Sequence, residues 1–267
     1  FDPFYFKTTE VGLRKTGNIR ARFLLESVED LRHNLRNIGG ELLVRVGNPA
    51  EIIPQLAQLY QVSEVYHHRE VAFEETAISE AVETALWKMK LNLKHFIGHT
   101  LYHKEDLPFP IKDIPDSFAT FKKKVERDSQ VRPCIESPEN IHTPEISDAG
   151  NIPTLADLGL SEPVEDSRSD FHYEGGESTG LLHLEQYVST QPLIAAKVAR
   201  HSDHPSRLSA WISLGCLSMR WVYREVTHGS HNSNLPLVLE LLWRDYFRFM
   251  FKKHGKQFYS AERFKDI

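Results

Sequence analysis

Between residues 20 and 97 the apolar residues change spacing several times. Phe23, Leu24, Val28, Leu31, Leu35 and Ile38 recur every three or four positions and end at Gly39-Gly40, which reads as an amphipathic helix. Leu42-Leu43-Val44-Arg45-Val46 is then a short apolar run closed by Gly47, the pattern of a buried strand. Pro49 suits a first helical turn, and Ile52, Ile53, Leu56 and Leu59 continue that helix. A second strand is expected over Val62 to His67, a helix over Glu74 to Met89, and a third strand over Leu93 to Ile97. Strands alternating with helices at this rhythm argue for a parallel α/β sheet. Residues 1–17 read as a loop, and the strand that should precede the helix at 20 is not evident in them.

Ligands of such sheets sit beyond the carboxyl ends of the strands. That directs attention to Gly47-Asn48, to His67-His68-Arg69-Glu70 and to Gly98-His99. After residue 104 the character changes. Eight prolines from Pro108 to Pro163 interrupt the chain, and a helix at Phe118–Glu126 is the one regular element expected there. From Gly180 on, helices are expected at 180–188, 209–214, 219–226 and 237–253, with Ser218 as a cap residue and Gly229 and Gly255 as stops. The expected order is an α/β parallel-sheet, Rossmann-like domain over 1–106 with its first strand missing, an acidic, Pro-rich and partly mobile linker over 107–179, and an all-α segment over 180–267.

A chain of 267 residues with 40% hydrophobic residues can bury a core and is not wholly disordered. Cys134 and Cys216 are too few for a disulfide-stapled module or a Cys-rich zinc site. The longest apolar run free of charge, Leu208 to Met219, carries three serines and falls well short of the ~18 residues that span a bilayer. No signal-peptide pattern opens the chain at Phe1, so a cytoplasmic setting is expected. Residues 134–180 carry a net charge of −10 within a total of −5, leaving the rest basic. The mildly basic segment from 181 on is compatible with an anionic partner, and equally with ordinary surface scatter.

The densest chemistry lies in Glu240-Leu-Leu-Trp243-Arg244-Asp-Tyr-Phe247-Arg248-Phe-Met-Phe251. At 100° per residue Glu240, Arg244, Phe247 and Phe251 share a sector, flanked by Trp243 and Arg248. Leu239, Leu242, Tyr246, Phe249 and Met250 cover the other side. A helix apolar nearly all round should be buried. Its Glu240 and Arg244 then form either an internal salt bridge or a polar stripe lining a cavity with aromatic stacking surfaces. Pro205-Ser206-Arg207-Leu208-Ser209 opens a helix with two hydroxyls and a guanidinium, an anion site or an ordinary serine cap. His95, His99 and His103 straddle a strand end without a cysteine, so solvated or hydrogen-bonded histidines are a better reading than zinc ligands.

These stretches, taken together, resemble the cryptochrome/photolyase family, and within it the cryptochrome DASH branch. The resemblance rests on Phe1-Asp-Pro, Lys15-Thr-Gly-Asn-Ile-Arg20-Ala-Arg-Phe-Leu-Leu-Glu-Ser-Val28, Thr100-Leu-Tyr-His-Lys-Glu-Asp-Leu-Pro-Phe109, Asn151 to Gly159, Gly175-Gly-Glu, Ser213 to Ser218 and Glu240 to Phe249. It implies an antenna-type α/β domain, a connector and the start of a helical domain that binds FAD. Ser206, Arg207, Leu208 and Ser209 match the FAD-phosphate segment, and Arg244 matches a flavin-site arginine. Glu240 matches the carboxylate that contacts a damaged pyrimidine, and Trp243 an aromatic wall of that pocket. Glu70 matches a glutamate near a methenyltetrahydrofolate antenna, a chromophore that varies among members. No metal is implied.

The implied activity is light-driven repair of cyclobutane pyrimidine dimers in DNA, single strands preferred, by a monomer. Two alternatives are a blue-light photoreceptor without repair and an inactive fragment. The resemblance also makes the chain look truncated at both ends, since family segments carrying further flavin contacts have no counterpart in it. The loop 197–204 before Pro205 is shorter than usual.

Overall fold

The computed structural model describes residues 1–10, 12–164, 172–195, 206–227 and 236–259. Gly229, the loop 197–204 and Pro205, singled out above, lie outside these. The helices are α1 (Asn18–Asn37), α2 (Pro49–Leu59), α3 (Phe73–Trp87), α4 (Phe118–Asp128), α5 (Glu177–Ala195), α6 (Ser209–Leu214), α7 (Met219–Thr227) and α8 (Pro236–His254). Strands β1 (Glu64–His68) and β2 (Asn92–Phe96) pair in parallel, in register from Glu64↔Asn92 to His68↔Phe96. A small parallel sheet with helices is thus followed by a helical region, as the alternating pattern predicts.

The described residues form two compact units that interleave along the chain. Of the described residues, the first holds those within 1–61, 136–164, 172–195 and 206–217, apart from 11; the second holds 62–135, 218–227 and 236–259.

In the first unit Phe23 of α1 meets Trp211 of α6 edge-on, ring centroids 5.5 Å apart. His183 of α5 stacks on the same indole at 5.2 Å. Gly180 permits this approach, because a Cβ there would lie 2.8 Å from Trp211 Cδ1. The start of α5 is fastened to the polar side of α1. Gly175 N–H donates to Glu26 Oε2 (2.7 Å), Gly176 N–H to Ser27 Oγ (3.0 Å), and Ser178 N–H and Oγ to the Asp30 carboxylate (3.2 and 2.7 Å). Asp30 thereby satisfies a donor at the helix start, where intrahelical acceptors are lacking.

Two expectations fail in this unit. Leu42–Val46 is not a strand. Val44 N–H donates to Ala149 O, Gly47 N–H donates to Phe1 O, and Arg32 takes Leu42 O. Loops and a guanidinium satisfy this extended segment, and no neighbouring strand supplies a ladder. Nor is the linker over 107–179 extended throughout. Leu155, Leu158 and Leu160 are buried in one cluster with Phe6 and Ala21, so apolar burial fixes a segment that prolines had marked as open.

In the second unit α3 lies against β2, with Val82 and Leu86 buried. The centre is α8, packed by α4, α7 and a short 3-10 helix at Ile111–Asp113. Leu237, Val238, Leu241, Leu242, Asp245, Tyr246, Phe249 and Met250 are buried along it. Phe121 and Val125 of α4 and Leu101 and Ile114 of the loops complete this core. The expected burial of α8 on all sides is not observed: Trp243 and Phe247 are 38% and 47% exposed.

Candidate functional site

The residues singled out by sequence occupy two places. Ser206–Ser209 lie in the first unit; Glu70, Glu240, Trp243 and Arg244 lie in the second.

At the first place Ser206 and Leu208 are buried, while Arg207 adopts a left-handed backbone with φ 55°. That turn leads into α6, whose first-turn N–H groups have no intrahelical acceptor. Ser209, Ala210, Ser213 and Leu214 of α6 line a cavity of about 640 Å³ with Phe23 and Tyr173. The lining is mostly apolar, with Asn18, Arg20, Ser209 and Ser213 as its polar side chains beside the Phe23 and Tyr173 rings, and Ser206, Arg207 and Leu208 are not part of it. His183 Nε2 lies 3.2 Å from Ser206 O, and burial holds its pKa below the usual value.

At the second place α8 presents Glu240, Trp243, Arg244, Phe247 and Phe251 on its incompletely buried side. Phe118 of α4 stacks on Trp243 with centroids 3.6 Å apart and planes 12° off parallel, and Phe247 stacks one turn further at 5.5 Å. The indole is therefore held rigid by aromatic neighbours while part of it stays open. Burial, with Arg248 next to it, lowers the Arg244 pKa.

Glu70 follows β1 and joins this helix. Arg248 Nη2 donates to its Oε2 at 2.7 Å, and His99 Nε2 lies 3.1 Å from its Oε1. These partners, His99 foremost, outweigh burial and hold the carboxyl at about 2. Of the other strand-end histidines, His67 pairs with His95, while His68 accepts Gly98 N–H at Nδ1 and packs its ring on His99. His67 Nε2 lies 2.6 Å from His95 Nδ1, and the His68 and His99 rings sit 4.2 Å apart.

One acidic residue escaped the sequence reading. Asp245 is 0% exposed and accepts Leu101 N–H at Oδ1 and Tyr102 N–H at Oδ2, each at 2.9 Å. The signal was present: of its four helical neighbours at three and four positions, Leu241, Leu242 and Phe249 are apolar and only Arg248 is charged, so it sits at the apolar face.

The sequence model of the DNA photolyase family matches residues 2–143. The chain belongs to that family. It is 43% identical to the cryptochrome DASH of Gloeobacter violaceus over 272 residues, covering 98% of this chain and 54% of that protein. It is 38% identical to the cryptochrome DASH of Danio rerio, covering 100% and 54%. The chain spans about half the length of these curated relatives. Among solved structures, a Synechocystis cryptochrome superposes with a TM-score of 0.89 at 35% identity, over 97% of this chain and 56% of that one. An archaeal photolyase from Sulfolobus tokodaii, described with two FAD molecules, reaches 0.71 at 20% identity over 97% and 53%, a likeness of fold. Among the described residues no helix is long and apolar enough to cross a membrane.

Proposed function

We propose that the chain belongs to a cryptochrome DASH-like flavoprotein that repairs cyclobutane pyrimidine dimers with light, single-stranded DNA preferred. The observation that carries this reading is the open side of α8, where Glu240, Arg244 and a braced, partly exposed Trp243 stand together on a helix otherwise buried. In this reading a pyrimidine dimer leaves the base stack to reach that face. Glu240 accepts a hydrogen bond from a base N–H, and Trp243 offers an edge and ring surface for stacking. Arg244 supplies positive charge beside the flavin. Ser206, Arg207, Leu208 and Ser209 hold the FAD phosphates, which the donors opening α6 fit. Bound FAD supplies light-driven electron transfer.

Glu70 is assigned to a methenyltetrahydrofolate antenna, and each of its oxygens keeps a second lone pair beyond His99 and Arg248. The functional division is an antenna domain over 1–106, a connector over 107–179 and the flavin-binding part from 180 on. This is a division along the sequence; the two compact units described above cut across it. A cytoplasmic monomer suits it.

Dark binding of a fluorescent oligothymidylate, with and without a single thymine dimer, tests the reading. Preference for the dimer is expected, and Glu240→Ala should weaken dimer binding about tenfold or more, the loss of one charged hydrogen bond. Equal affinity for both strands overturns it. Dimer binding without turnover under blue light selects light sensing over repair.

A further inference from the structure

Asp245 has no part in the function proposed above, yet it is the most deeply buried charge among the described residues. Its two oxygens accept the N–H groups of consecutive residues, Leu101 and Tyr102, in the loop leaving β2. The groups facing it are Arg244 and Arg248 from its own helix and Tyr102 from the loop. The Tyr102 phenol in turn faces Tyr223 of α7 and Glu126 of α4. One turn further along α8, Arg248 grips Glu70 in the loop leaving β1. Both strand-exit loops are therefore fastened to α8 by a carboxylate, one of them at the neighbour of Arg244.

We propose that Asp245 is a positioning residue that sets the register of Trp243 and Arg244 against the β2 exit loop, and that its grip on two backbone amides is a proton-operated catch. An ionised carboxylate only accepts, so it satisfies both N–H groups. A protonated one carries an O–H, and the oxygen that holds it accepts more weakly. One of the two amide bonds is then weakened in a site that water does not reach. Burial, opposed by the two backbone bonds and the two arginines, pushes this carboxyl up to about 7, so the catch works near neutral pH. The consequence for lesion and flavin contacts rests on the function proposed above; the register of α8 does not.

Hydrogen exchange of the 267-residue chain tests the catch, with rates divided by the intrinsic rate at each pH between about 5.5 and 8.5. In the unaltered chain, protection of the Leu101 and Tyr102 amides should fall about tenfold on acidification while β1 and β2 keep theirs. Asp245→Asn places an amide N–H where the acid O–H would be, so it should show the acid-side protection at every pH. A flat profile in the unaltered chain, or a variant whose profile tracks it, overturns the proposal. If Asp245→Asn does not fold, the profile of the unaltered chain decides alone. Should the catch behave as stated while Glu240→Ala leaves dimer binding untouched, the lesion reading fails and the catch stands.

Discussion

Glu70 and Asp245 both anchor loops to α8, and their surroundings drive them in opposite directions. Glu70 has His99 and Arg248 at its two oxygens and stays ionised down to about pH 2. Its unfolded counterpart takes up a proton near 4.5, so its contribution is present above about pH 4.5 and is lost as pH falls toward 2. The pair is partly open to water, so about 1–2 kcal/mol is a fair size after screening. For Asp245 the sign is reversed: burial favours the protonated acid, so its ionisation erodes stability as pH rises from about 4 to about 7. His67 and His68, whose pKa values burial chiefly lowers, add stability as pH rises toward the usual histidine value of 6.5, and that gain is complete above it. Urea unfolding of Glu70→Gln against the unaltered chain isolates the first term. The stability gap should be widest above pH 5 and close as pH approaches 2. A gap independent of pH refutes the assignment.

Among the elements, the junction of α1 with α5 makes the sharpest mutational claim. A Cβ on Gly175 would lie 2.1 Å from Phe23 O and 2.7 Å from Ser27 Oγ, and the nearer of these is helix backbone. Gly175→Ala should therefore cost about 2–3 kcal/mol, read as a lower urea midpoint with an unchanged slope. A loss under 0.5 kcal/mol would mean that α1 gives way easily. The helices were legible because their apolar period is long and regular, as in α1 and α3. Leu42–Val46 was not, because a short apolar run has the same pattern whether it pairs in a sheet or lies extended against loops. The buried leucines at 155, 158 and 160 were hidden by flanking prolines, since local composition carries no record of a distant partner such as Phe6. On α8 the charged pair Glu240 and Arg244 stands out in the sequence, while nothing local beyond its apolar neighbours singles out the adjacent Asp245. Its role depends on two amides 143 and 144 residues away.

For the molecule as a whole, the connector divides into parts of different fate. Residues 135–148 are almost all exposed and carry no regular structure, whereas 152–160 is pinned by its leucines. Proteinase K should cut within 135–148 before it cuts within 152–160. Mass mapping of the first fragments checks this, and the reverse order contradicts it. The interleaving of the two units has a consequence for biosynthesis. As the chain leaves a ribosome, α1 emerges early but cannot complete its packing until Gly175 and then Trp211 follow. The stretch 62–135 likewise waits for α8. Neither unit closes before Trp211 and α8 respectively have been made, so each should mature only after those segments emerge. A plasmid encoding 1–135 alone would yield two half-built cores, and co-expressing 136–267 should be needed to rescue them.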